Sequence, residues 1–141
     1  VIAIPLGADA TMLCCHGSPR SPIEEVLATT PGADLDALLD GVDAEIIAGG
    51  HTHLQLIRQH QGRLLVNPGS VGCPFRAPAS AAAPPSLLPW AEYGIVTWRD
   101  GTLGVELRRV PFDRDRFRDE LSRSDLPIRE WWLSQIPPSA G

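Results

Sequence analysis

No apolar run in the sequence reaches the roughly 18 residues that a membrane-spanning helix needs. The opening VIAIPLG has neither a charged start nor a long apolar region, so these residues are not expected to be a secretory leader. Cysteine is scarce: Cys14 and Cys15 are adjacent, and Cys73 is the third. An odd, sparse set without framework spacing excludes a disulfide scaffold and fits a reducing compartment, so a cytoplasmic location is expected. Clustered positive charge is also lacking. The formal net charge is -5, and the densest charged stretch, DRDRFRDE, mixes both signs as a solvated helix face does. No nucleic-acid surface and no membrane contact are therefore expected. No internal repeat is visible.

What is present suits one globular domain. The 141 residues are 43% hydrophobic and 21% charged, and at this length a chain can bury roughly two thirds of its unfolded surface. TMLCC (residues 11–15) is a short apolar run that stops at HGSPRSP, the pattern of a buried strand. Ser21, Pro22 and Glu24 form a capping-box pattern that predicts a helix from Pro22 to about Ala28. GADLDALLDGV predicts a second helix with Leu35, Leu38 and Leu39 on one face and Gly41 as its stop. AEIIAGG reads as another apolar strand.

A hairpin turning at Gln61-Gly62 follows, then a tight turn at Asn67-Pro68-Gly69-Ser70. Residues 73–91 carry five prolines among alanines and read as a long irregular loop. A second hairpin turns at Asp100-Gly101, with Val105, Leu107 and Arg109 on one face. The segment around DRDRFRDELSRS has helical propensity. A closing helix from DLPIREWWLSQI is expected to dock Ile128, Trp131, Trp132 and Leu133 on the sheet. Strands that precede helices and then pair as hairpins give an α/β or α+β class with mixed sheets.

Three of the four histidines directly follow predicted strands: His16 after TMLCC, and His51 and His53 after AEIIAGG. Loops at strand ends converge on one edge of an α/β sheet, so two such loops can bring three imidazoles together. Neutral imidazole suits zinc, iron and related metals. A His-x-His in a turn is also an ordinary surface feature, and the residues alone leave both readings open. Gly49 and Gly50 permit a sharp turn or a close approach there. His60, near a hairpin turn with polar neighbours, reads as exposed. The thiols of Cys14 and Cys15 read as buried and inert, because CCH is too compact for zinc-finger ligation. Gly17 and Ser18 can offer backbone N–H groups to a phosphate or form a plain turn. Asn67 and Ser70 shape a turn beside the histidines, with a phosphate contact as the lesser alternative. Arg58 and Arg76 are candidates to meet an anionic substrate.

LCCHGSP, IIAGGHTHLQLIRQHQGRLLVNPGSVGCP, AEYGIVTW and RRVPFD stand in the order found in calcineurin-like metallophosphoesterases, and the chain resembles the small prokaryotic phosphodiesterase-type members of that superfamily. The resemblance implies a four-layer αββα sandwich with two facing mixed sheets. It implies a phosphoesterase (phosphodiesterase or phosphatase) that uses two divalent metal ions, Mn, Fe, Zn or Ni, to activate a hydroxide against a phosphate ester. His16 and His51 would bind one metal and His53 the other, with Gly17, Ser18, Asn67 and Ser70 as candidate substrate-binding positions. The superfamily's Asp-x-His, Gly-Asp and Gly-Asn-His motifs are absent from this sequence. Residues 1–141 are therefore expected to be the C-terminal portion of a single domain, with an inserted loop at 73–91, no catalytic residue of their own and no activity alone. The other half of the site would come from the same longer chain or from another chain. A half-covered sheet leaves homo-oligomerisation open. The alternative that the resemblance offers is a non-catalytic scaffold of the same fold, like the retromer subunit.

Overall fold

A computed structural model describes residues 1–80 and 85–138. Its first sheet has five strands: β1 (Ile2–Pro5), β2 (Thr11–Cys14), β3 (Ile46–Ala48), β4 (Gln55–His60) and β5 (Arg63–Pro68). Their order is β1-β2-β3-β5-β4. β2, β3 and β5 run parallel, while β1 and β4 pair antiparallel at the two edges. The sheet is therefore mixed, as the sequence predicts. Helix α1 (Gly32–Leu38) lies in the crossover between β2 and β3. Its Leu35 and Leu38, with Leu39 just beyond, close on Ile47 and Leu65 to form the core. The i, i+3, i+4 spacing of those leucines is what gives the helix one apolar stripe. Gly41, at φ 70°, ends the segment in a conformation that other L-residues rarely adopt.

Gln61 and Gly62 both take positive φ, 46° and 79°, the requirement of a two-residue type I′ hairpin. Asp100 and Gly101 repeat it at 49° and 76° between β6 (Trp90–Arg99) and β7 (Thr102–Pro111). These two strands form a separate two-stranded sheet. Gly94 of β6 lets that hairpin approach β5, since a Cβ there would stand 3.3 Å from the Pro68 ring.

Two predicted helical features come out differently. Residues 22–28 form turns, not a helix. Glu24 does not close a box with Ser21: its carboxylate accepts from the Ser18 hydroxyl and from Arg20. The Ser21 carbonyl is taken by the Ser18 N–H at 2.8 Å, so the first turn of a helix lacks its acceptor. The closing helix exists as α3 (Arg129–Gln135), but it packs mainly on α2 (Arg114–Ser122), and Ile128 is 55% exposed. Arg118 of α2 ties the pair by donating to the carbonyls of Leu133 and Ile136. Trp131 and Trp132 meet edge to face at 5.1 Å, and no residue of α3 is fully buried.

The proline-rich stretch is irregular over residues 73–80 and 85–89, with a bridge between Phe75 and Leu87, but its expected last two residues, Trp90 and Ala91, already belong to β6; residues 81–84 of the expected loop lie outside the described residues. Every residue of β1 is exposed and every residue of β2 is half-buried. No helix among the described residues is long and apolar enough to cross a membrane.

Candidate metal centre

The parallel neighbours β2 and β3 end side by side, and their chains stay paired beyond the strands. The Cys15 N–H donates to the Ala48 carbonyl at 2.9 Å, and the Gly50 N–H to the His16 carbonyl at 2.7 Å. Gly49 and Gly50 make this possible. A Cβ on Gly49 would stand 3.0 Å from the Gly17 carbonyl, and one on Gly50 3.3 Å from the His16 carbonyl. Their role is close approach, and the unusual backbone angles fall one step later, on the histidines themselves. His51 has φ 65° and His53 φ 57°. The left-handed region costs an L-residue about 1–2 kcal/mol. Such strain persists only where the surroundings enforce it, and it concentrates at functional sites.

Asn67 supplies much of that enforcement. It is 3% exposed, and its Nδ2 donates to the Gly50 carbonyl at 2.7 Å and to the Thr52 hydroxyl at 3.0 Å. Its Oδ1 accepts from the Gly69 N–H at 2.9 Å. One buried amide therefore joins the loop at 49–53 to the Asn-Pro-Gly-Ser turn. Ser70 closes that turn by accepting from the Cys73 N–H at 3.0 Å. A buried carboxylate, Glu92, backs it: the Glu92 N–H donates to the Ser70 carbonyl at 3.0 Å, and Oε1 accepts from Trp90 Nε1 at 2.9 Å and faces Arg109 at 3.2 Å. Thr52 and Glu92 escape a reading of the sequence. Thr52 sits between two histidines that draw the eye, and a Glu in an alternating strand gives no sign of being inside.

The fold brings two of the three candidate ligands together. His51 Nδ1 and His16 Nε2 stand 3.3 Å apart, with the rings edge to face. Two imidazole nitrogens bound at about 2.0–2.1 Å to one tetrahedral ion are separated by about 3.3–3.4 Å. The separation of the pair thus matches that of two ligands on one divalent cation, and it also matches a hydrogen bond between the rings. His53 stands apart from the pair. Its Nδ1 lies 2.7 Å from the Cys73 carbonyl, which can only accept, so Nδ1 carries the proton and Nε2 keeps its lone pair. A carbonyl that fixes the tautomer of an imidazole in this way is the usual outer partner of a metal-binding histidine. Phe75 stacks on the His53 ring at 4.6 Å and holds its plane. Among the described residues, no group of three or more His, Cys, Asp or Glu side chains gathers as a metal cage.

The remaining candidates face inward. Gly17 is buried, and a Cβ there would meet the carbonyl oxygens of Ser21 and Glu24 at 2.7 Å. Ser18 is 2% exposed, with its N–H and hydroxyl both engaged within the loop. Arg58 is structural, donating to the carbonyls of Leu27, Ala28 and Thr30. His60 is not the exposed histidine expected: its side chain is 12% exposed and its Nε2 meets Asp36 at 2.6 Å. Strand β4 carries it back over α1, whose Asp36 is within reach. Burial pushes the Cys73 thiol up to about 11, and burial followed by the neighbouring Cys14 raises Cys15. Both thiols stay protonated near neutral pH, as inert cysteines do. Hydrogen bonds from Arg20 and then Ser18 hold the Glu24 carboxyl below the usual carboxylate range.

Paired strand ends, a latched Gly-Gly-His-Thr-His loop and facing imidazoles make up the candidate centre. Residues 5–83 match the family described as the calcineurin-like phosphoesterase superfamily domain, and the chain belongs to that superfamily. Two solved structures share its fold. A hypothetical protein of Pyrococcus horikoshii is 21% identical with a TM-score of 0.71, covering 99% of this chain and 51% of that one. A metallophosphoesterase of Sphaerobacter thermophilus is 23% identical with a TM-score of 0.65, covering 95% and 57% respectively. Vps29 of Entamoeba histolytica complexed with Zn²⁺ matches more loosely, with a TM-score of 0.46 and 19% identity over 77% of this chain and 58% of that one. No curated protein matches. The chain spans about half the length of the first two structures.

Proposed function

We propose that this chain supplies the histidine half of a dinuclear-metal phosphoesterase that hydrolyses phosphate esters. The observation that carries the proposal is the facing pair His16 Nε2 and His51 Nδ1, 3.3 Å apart at the ends of adjacent parallel strands. In this reading His16 and His51 hold one divalent ion, and His53 offers Nε2 to the second. Mn, Fe, Zn and Ni all accept imidazole. When bound, such a pair of ions neutralises phosphate charge and makes water a nucleophile near neutral pH.

The chain's own groups do the positioning. Asn67 fixes the loop that carries both histidines, the Cys73 carbonyl sets the His53 tautomer, and Phe75 holds the ring. Ser18 and Asn67 spend their polar atoms internally, so they serve this reading as supports and not as direct substrate contacts. Carboxylate ligands come from outside the residues gathered here, so these 141 residues alone are expected to be inactive. The test uses a longer protein that contains this chain, assayed for hydrolysis of a bis-aryl phosphate with added Mn²⁺. Loss of turnover in His51→Ala is the expected result. Equal turnover in both proteins, or substantial turnover by the 141-residue chain, would overturn the proposal.

A further inference from the structure

A cavity of about 140 Å³ lies against His51. Leu27, Phe75, Pro78 and Ala79 give it an apolar lining, His51 and Thr52 contribute polar atoms, and Glu25 is the one charged residue. Both of its sides are anchored. Leu27 lies in a loop held by Arg58, whose Nη1 donates to the carbonyls of Leu27, Ala28 and Thr30, the last at 2.6 Å. The Leu27 N–H also donates to the Thr30 hydroxyl at 2.9 Å. Phe75 stacks on His53, donates its N–H to the His53 carbonyl at 3.0 Å and bridges to Leu87. One side of the cavity is thus held by Arg58 and the other by contacts to His53 of the candidate metal centre.

Its size decides what fits. Drug-sized ligands occupy pockets of about 300–1,000 Å³, whereas an apolar cavity of about 150 Å³ holds one benzene ring. Four of the seven lining residues are apolar and none is Lys or Arg, so a charged occupant would be desolvated there without an opposite charge. We infer that this cavity receives the alcohol portion of the phosphate ester, and that this portion is one uncharged aromatic ring or an alkyl group of equal bulk. The inference rests on the phosphoesterase reading above. A group of that bulk would sit beside His51, one of the two facing imidazoles.

The test is metal-free, so it separates this inference from the reading it rests on. Phenol, 1-naphthol and 4-hydroxybenzoate are titrated into the ¹⁵N-labelled chain. Phenol is expected to shift the amides of Thr52, Phe75 and Ala79. The fused ring and the charged ring are expected to bind at least about tenfold more weakly, the discrimination that a hydrophobic pocket gives for one ill-fitting group. Ala79→Trp, which fills the cavity, is expected to abolish the phenol shifts. Equal binding of phenol and 1-naphthol, or no shift at those three amides, overturns the inference without any variant. Persistence of the phenol shifts in a folded Ala79→Trp chain overturns it as well. Phenol binding that survives alongside unchanged hydrolysis in His51→Ala would sink the phosphoesterase reading alone.

Discussion

Asn67→Ala removes the latch of the candidate metal centre, and its effect can be worked from the three hydrogen bonds of that amide. The variant strands the Gly50 carbonyl, the Thr52 hydroxyl and the Gly69 N–H, whose present bonds measure 2.7, 3.0 and 2.9 Å. Each such bond contributes about 0.5–1.5 kcal/mol net, and a buried partner left unpaired costs more. Water can reach part of the vacated space, so the sum is set at about 2–4 kcal/mol. Urea denaturation should show a lower midpoint with an unchanged slope. The same variant frees the loop that holds His51 and His53 at positive φ. Zn²⁺ affinity, read by calorimetry, should fall about 10–100-fold, the range for loss of an outer partner. Asn67→Asp keeps the acceptor for Gly69 and loses both donors, so it should fall between the wild type and Asn67→Ala in metal affinity. A midpoint shift equivalent to less than about 0.5 kcal/mol, or an unchanged Zn²⁺ affinity, would refute the reasoning.

Three further predictions follow from single residues. Gly17→Ala sets a methyl 2.7 Å from two backbone carbonyl oxygens that cannot move independently, so a loss of about 1–3 kcal/mol is expected in urea denaturation; a neutral result would show that the 17–24 loop is loose. His51→Gly relieves the strain at φ 65° while His51→Ala keeps it, so His51→Gly should be the more stable of the two by roughly 1 kcal/mol, and the reverse order would remove the strain argument. Glu24 is held below its ordinary carboxylate range, so its contribution is present above that range and is lost as pH falls through the folded value. Between about pH 5 and pH 3 the wild type should therefore lose stability more steeply than Glu24→Gln, and parallel slopes would contradict the pairing with Arg20 and Ser18.

Much of the fold was legible because local rules met no rival. The strand at β2, the leucine stripe of α1 and the two hairpins with their paired positive-φ turns all follow from periodicity and turn chemistry. The predicted helix at 22–28 failed where one side chain had two possible partners. Glu24 can cap a helix or pair with Arg20 and Ser18, and the structure has the second arrangement, with Arg20 also reaching the Ala37 carbonyl. The same limit hid Asn67 and His60. A sequence shows Asn67 as a turn former, whereas its donors reach 17 and 15 residues back to Gly50 and Thr52. His60 looks like a surface turn residue until β4 sets it beside Asp36, 24 residues earlier. Strand ends predicted that the three histidines converge and the family resemblance paired His16 with His51; in the structure those two meet while His53 stands apart. Of the two roles read for Gly49 and Gly50, a sharp turn or a close approach, the structure shows the close approach of backbone to backbone.

The most direct test of the central claim is long-range ¹H–¹⁵N NMR of the four imidazoles during a Zn²⁺ titration of the chain. The account predicts that His16 Nε2 and His51 Nδ1 respond together, at one stoichiometry, while His60 stays fixed on Asp36. Independent responses of His16 and His51, or a response at His60 that precedes theirs, would contradict it.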